Sequence, residues 1–329
     1  MFDLHVDSII QQRLFGYRLG RRHRRGIKGQ PLFWHADIPR MLEGGYGGAC
    51  MGVHYFPWES EKGWVEMQRQ IAYLDALCDR EEGVVRIRRP DQWRDGLGDD
   101  RLALAPGVEG AHMLNGKIER AETLARMGVS YLTLTHFSSN AAATASMGRG
   151  ANEEEGLTAF GKELVRELNR VGVAVDVAHV NDRGVIEACE ISEAPVFCTH
   201  TGVKGVYDHP RNISDEALDA IASTGGVVGV ILGPLFVAGR LRADTEAVLD
   251  HYEYIVDRVG VEHVALGSDY DGWLPTITSD HRDCRDLIKV LEGLEQRGWG
   301  KESIAGVSRA NACRAFDGVA QAARLEMDT

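Results

Sequence analysis

The stretch from Ala174 to Asn212 constrains this chain most: AVDVAHV, a short helical pattern, then PVFCTHTGVKGVYDHPRN. Two β-rich runs each reach a histidine, His179 and His200, and each is largely apolar up to that point. A buried strand that ends in a ligand-type side chain is how a (β/α) barrel presents chemistry at its C-terminal face. Arg211 follows in a loop, where its fork of donors suits a carboxylate.

The pattern of strand, then ligand, recurs along the chain. Phe2 to Val6 reads as a first strand carrying His5, with Asp7 just after; their i, i+2 spacing puts both on one face. Leu102 to Glu109 ends on Glu109. Val129 to Thr135, alternating and β-branched, runs into His136. Val264 to Gly267 runs into Asp269. Gly47 to Phe56 is a strand whose His54 reads as structural, and Gly226 to Gly233 is a strand with no ligand at its end. Val84 to Ile87 reads as a connection. Helical spacing covers Trp58–Arg80, Ile118–Met127, Leu157–Val171 with Thr158 as N-cap, Arg183–Glu190, Ser214–Ser223 and Thr245–Val259. Arg282–Arg297 and Lys301–Phe316 read as two last helices. Strand candidates alternating with helices predict an α/β fold, a parallel sheet closed as a (β/α)8 TIM barrel. No repeat or composition break divides the chain, so one domain over residues 1–329 is expected.

Composition excludes other classes. With 49 acidic and 37 basic residues the net charge is -12, which argues against nucleic acid as a partner. There is no apolar run long enough to span a bilayer, so no membrane partner is expected. The start, MFDLHVDSII, has neither a basic n-region nor an apolar h-region, so the expectation is a cytoplasmic protein without a removable leader. Six scattered cysteines fit reduced thiols. Cys198 is expected to share a face with His200 and reads as a core filler rather than a ligand. Gln11 to Gln30, with Arg21-Arg22-His23-Arg24-Arg25, reads as a solvated loop in preference to an anion-attracting rim. The stretch FSSNAAATASMGRGANEEEG after His136 reads as a long active-site loop.

His5, Asp7, Glu109, His179, His200 and Asp269 therefore lie at or near strand ends that share one mouth. Three imidazoles and three carboxylates suit borderline divalent metals, zinc first. That set exceeds one catalytic ion and suffices for two bridged by a carboxylate.

At this point the motifs carry a resemblance. GVEGAH at 107–112, YLTLTH at 131–136, GLTAFGKELVRELNRVGVAVDVAHV at 156–180, APVFCTH, PRNISDEAL and GSDYDG are together highly specific. From His5 to about Phe316 the chain resembles the membrane dipeptidase (renal dipeptidase) family, zinc dipeptidases of the amidohydrolase-like barrel superfamily. The resemblance implies two Zn2+ per chain, with His5 and Asp7 on the first, His179 and His200 on the second, and Glu109 bridging. It implies Asp269 as acid/base beside a metal-bridging hydroxide, His136 facing the scissile carbonyl oxygen, and Arg211 holding the carboxylate of a dipeptide substrate. It also implies a homodimer. These roles suit the side chains: a carboxylate can relay a proton, an imidazole can steady an oxyanion, and a guanidinium can grip a carboxylate by two bonds. The chain departs from the family in having Val6 between His5 and Asp7, and in lacking a Trp-containing stretch after His136. Asp271 shares a face with Asp269, as second-shell support or as a loop cap. Two alternatives stand beside the dipeptidase: a metal-dependent hydrolase of another small amide or ester (an N-acyl amino acid or a lactone), and a catalytically silent barrel scaffold. Arg211 favours a substrate that bears a carboxylate.

Overall fold

A computed structural model describes residues 1–24, 26–30, 32–55, 58–98 and 100–325. Its parallel strands are β1 (Phe2–Val6), β2 (Gly48–Val53), β3 (Val84–Arg86), β4 (Leu102–Glu109), β5 (Tyr131–Thr133), β6 (Ala174–Asp176), β7 (Phe197–Thr201), β8 (Val227–Val230) and β9 (Val264–Leu266). They run in the order β2-β1-β9-β8-β7-β6-β5-β4-β3, and β2 also pairs with β4. That last pairing closes a barrel of eight strands and leaves β3 outside it. One edge of β4 carries β3 on Leu102–Leu104 and β5 on Gly107–Glu109. The Val84–Ile87 connection is thus a strand. Its three half-buried residues, VVR, are too short a run for an alternation to declare itself.

The helices follow their local signals. Thr158 caps Ala159–Val171 by accepting from Gly161 N, and Gly172 ends that helix with φ 74°. Ser214 caps Asp215–Ser223 in the same way, and Thr245–Val259 has the bounds that its spacing predicts. The last predicted helix begins at Lys301 but passes through a π turn at Gly306–Ala310 and ends at Ala322. Gln11–Gln30 is not loop throughout, since a helix spans Ser8–Phe15 and buries Gln11. Arg22 pairs with Glu43 at 2.6 Å. Arg25, Phe56 and residues 326–329 lie outside the described residues. Among the described residues no helix is long and apolar enough to cross a membrane.

Two apolar clusters divide the interior. The larger one lies between strands and helices and includes Leu164, Leu168, Val175, Val196 and Val228. The smaller one joins Phe2, Leu4, Ala103, Ala105, Phe197 and Val227 to Trp93 and Phe316. Phe2 stacks on Trp93 at 4.3 Å and Phe197 meets Phe316 at 4.5 Å. These rings fill the end of the barrel where strands begin, so polar side chains collect at the other end. Truncating Trp93 or Phe316 to alanine would cost about 3–5 kcal/mol. All six cysteines are buried and free. Cys198 packs in the larger cluster. The register of β7 on β8 shifts between Cys198 and Thr201, so the i, i+2 rule from Cys198 to His200 fails.

Candidate metal centre

Two strands have an irregular register on a neighbour at the site. The register of β1 on β2 shifts between Asp3 and Val6, and that of β7 on β8 shifts between Cys198 and Thr201. The shifts enclose His5 and His200. A bulge re-aims the side chain it carries, and here the two rings stack at 4.0 Å. His179 lies beyond the end of β6, with φ 66°, and Asp269 beyond β9, with φ 57°. Left-handed backbone at a non-glycine residue costs about 1–3 kcal/mol and is concentrated at functional sites.

All six sequence candidates converge, with Glu109 at the centre. Its Oε1 lies 3.0 Å from His179 Nε2, 3.4 Å from His200 Nε2 and 3.6 Å from His5 Nε2. His5 Nε2 lies 3.2 Å from Asp7 Oδ1 and 3.8 Å from Asp269 Oδ1. The Nε2 atoms of His179 and His200 are 3.0 Å apart. Three overlapping triplets are spaced to hold an ion: His5, Asp7 and Glu109; Glu109, His179 and His200; His5, His200 and Asp269.

A second layer aims the imidazoles. Tyr131 Oη is 2.6 Å from His5 Nδ1. Thr199 Oγ1 is 2.9 Å from His200 Nδ1 and donates to Asp176 Oδ2 at 2.9 Å. That hydroxyl therefore accepts from Nδ1–H, and the His200 Nε2 lone pair faces the nest, as a metal ligand requires. Asp176 is itself fixed by Thr133 Oγ1 and by the backbone N–H groups of Ala178 and Thr199. Gly52 and Gly107 are register partners on β2 and β4. A Cβ on Gly52 would stand 1.7 Å from Asp7 Oδ1, and one on Gly107 would stand 2.0 Å from the Tyr131 ring. Both positions must be bare for the site to assemble.

The electrostatics call for a cation. Burial, reinforced by the charge of Asp7, pushes the Glu109 carboxyl well above its usual range, and burial does the same to Asp269. Burial pulls the His5 imidazole down, but Asp7, Glu109 and Asp269 together outweigh it and lift His5 to about 10. His5 Nε2, Asp7 Oδ1 and Glu109 Oε2 are buried without a hydrogen-bond partner among the described residues. Each such orphan costs about 1–3 kcal/mol. Divalent ions supply the missing charge and the missing partner at once, and this nitrogen–oxygen donor set suits zinc.

Three further residues complete the mouth. His136 Nε2 is 3.5 Å from Glu109 Oε2. Arg211 is buried; its Nη2 donates to the His200 carbonyl at 2.8 Å. Among the described residues no carboxylate lies within salt-bridge range of it. Burial holds its pKa below the ordinary guanidinium value. His54, which reads as structural in the sequence, faces the nest: its Nδ1 is 3.4 Å from Glu109 Oε2 and 3.6 Å from Asp7 Oδ2. A single histidine after a strand, with no motif around it, carries no local sign of that role. Asp271 acts as a loop cap, accepting from the backbone N–H groups of His35 and Ala36 and from Ser8 Oγ. The loop after His136 is tied over the site, with Ser146 N donating to the His179 carbonyl at 2.7 Å.

A closed parallel barrel with imidazoles and carboxylates gathered at its C-terminal mouth is the framework of metal-dependent hydrolases. The sequence model of the membrane dipeptidase family (peptidase family M19) matches residues 1–328, and the chain belongs to that family. It is 34% identical to dipeptidase 3 of Rattus norvegicus over 231 residues, 69% of this chain and 47% of the rat protein. The chain thus spans about half the length of that relative. It is 30% identical to dipeptidase verJ of Clonostachys rogersoniana over 315 residues, 90% of this chain and 78% of the relative. Its fold is similar to that of a metallo peptidase from Rhodobacter sphaeroides liganded with a phosphinate mimic of the dipeptide L-Ala-D-Ala. The TM-score is 0.86 at 22% identity, covering 97% of this chain and 98% of that one.

Proposed function

We propose that this chain is a dizinc dipeptidase that hydrolyses free dipeptides of L-L or L-D configuration. The observation that carries the reading is Arg211, a buried guanidinium with no carboxylate partner among the described residues, beside a nest built for cations. A neutral lactone gives such a group nothing to bind, whereas the C-terminal carboxylate of a dipeptide does. His5 and Asp7 would hold one ion and His179 and His200 the other, with Glu109 available to both. When bound, the ions supply Lewis acidity and a water that ionises near pH 7. Arg211 anchors the substrate's carboxylate. His136 faces the carbonyl oxygen as charge develops on it. Asp269 takes a proton from the nucleophile and returns it to the leaving amine. The dipeptidase names of the relatives and the dipeptide mimic in the Rhodobacter protein support this assignment.

The deciding experiment is a panel of L-L and L-D dipeptides assayed with the zinc-loaded and metal-stripped chain. Absence of metal-dependent cleavage across the panel sinks the proposal. The family resemblance also supports a homodimer, which sedimentation would check.

A further inference from the structure

His54 stands at the mouth with no part in the reaction proposed above. It is the residue after β2, and its carbonyl accepts from Gln70 Nε2 at 2.8 Å, so the helix Glu61–Arg80 fixes where the side chain starts. The residue is 7% exposed, and among the described residues its Nδ1 has no hydrogen-bond partner. A buried nitrogen without a partner calls for an explanation. Its two carboxylate neighbours, Glu109 Oε2 at 3.4 Å and Asp7 Oδ2 at 3.6 Å, lie beyond hydrogen-bond length. Similar spacings separate His5 Nε2 from Asp7 and Glu109, at 3.2 and 3.6 Å. Two donors bound about 2.1 Å from one tetrahedral ion stand about 3.4 Å apart. Glu109 Oε2 also lacks a hydrogen-bond partner among the described residues.

We infer that His54 Nδ1 is a further protein ligand of the ion held by His5, Asp7 and Glu109, which rests on the two-ion reading of the mouth. Two imidazoles and two carboxylates are a donor set that would suit a tetrahedral ion.

The test compares the full chain with His54→Leu and His54→Asp, each stripped by chelation and then titrated with Zn2+ and Co2+. The carboxylate oxygen of Asp stands the same two bonds from Cβ as Nδ1, so it keeps a ligand in place. The native chain is expected to bind two ions. His54→Leu weakens one of them by at least about 10- to 100-fold, the range that losing even an outer-sphere partner produces. Its cobalt absorption spectrum changes with the lost ligand, and His54→Asp recovers most of the affinity. If His54→Leu does not fold, His54→Asp carries the test, because oxygen in place of nitrogen shifts the cobalt spectrum. Equal affinities and superimposable spectra in the native and variant chains overturn the assignment. A native chain that binds no ion overturns the two-ion reading itself, and this inference with it.

Discussion

The imidazoles of His5 and His200 lie face to face, 4.0 Å between centroids, although β1 and β7 are far apart in sequence. Each ring has its Nδ1 beside a hydroxyl, Tyr131 Oη at 2.6 Å and Thr199 Oγ1 at 2.9 Å. Both rings are thereby set before any ion arrives, and a preorganised site binds with less ordering to be done. The orienting hydroxyls are therefore part of the metal affinity. Tyr131→Phe is expected to weaken binding by about 10- to 100-fold while the fold is kept. Titration of the stripped protein with Zn2+ measures this, and an unchanged affinity removes Tyr131 from the role.

Metal removal tests the charge argument. With three buried acids against His5 and Arg211, the stripped chain lacks counter-charge. Chelation is expected to lower Tm, since an ion at 100 times its Kd stabilises the fold by about 2.7 kcal/mol. Elemental analysis of Glu109→Ala should find both ions gone, whereas His179→Ala should mainly weaken one. A Glu109→Ala chain that retains both ions removes the bridging role.

His136 and Asp269 separate by kinetics. His136→Ala is expected to lower kcat by about 10²–10³ with metal content unchanged. Asp269→Asn should lower kcat more sharply, because the proton relay is lost. Near-native turnover in either variant rules out its assigned role.

Arg211 is tested through the substrate. Arg211→Ala should lower kcat/KM for free dipeptides by roughly 10- to 200-fold, the value of a buried charge-assisted pair. Arg211→Lys should recover only part, since a point charge does not reproduce the fork. Amidating the dipeptide's C-terminus should harm the native chain and matter little to Arg211→Ala. Equal cleavage of the amide by the native chain would end the anchor assignment.

Acid stability follows from His281, away from the nest. Its Nδ1 meets Tyr270 Oη at 2.8 Å and its Nε2 meets Thr245 Oγ1 at 3.1 Å. Burial lowers its pKa from 6.5 to about 4. The unfolded chain thus takes up this proton first, so the stability contribution is complete above about 6.5 and is lost as pH falls toward 4. Urea unfolding of the metal-free chain should show that loss, and His281→Gln should flatten it. Parallel curves for the two proteins would refute the assignment.

The sequence alone determined the strand-and-ligand rhythm. AVDVAHV, PVFCTH and LALAPGVE are local, mostly apolar runs that reach a ligand-type side chain, and a parallel barrel sends all such ends to one mouth. That is why His5, Asp7, Glu109, His179, His200 and Asp269 were legible without coordinates. The helix cap at Thr158 was legible for the same reason: donor and acceptor lie three residues apart. The tertiary structure decided whatever depends on a neighbouring strand. β3 exists because β4 is long enough to carry two partners along one edge. The register shifts that turn His5 and His200 arise against β2 and β8. Alternation counted along one strand cannot register a shift set by the next, and so it placed Cys198 on the wrong face. His54 entered the site only when β2 closed onto β4 and brought it beside Glu109, a meeting of residues that share no local pattern.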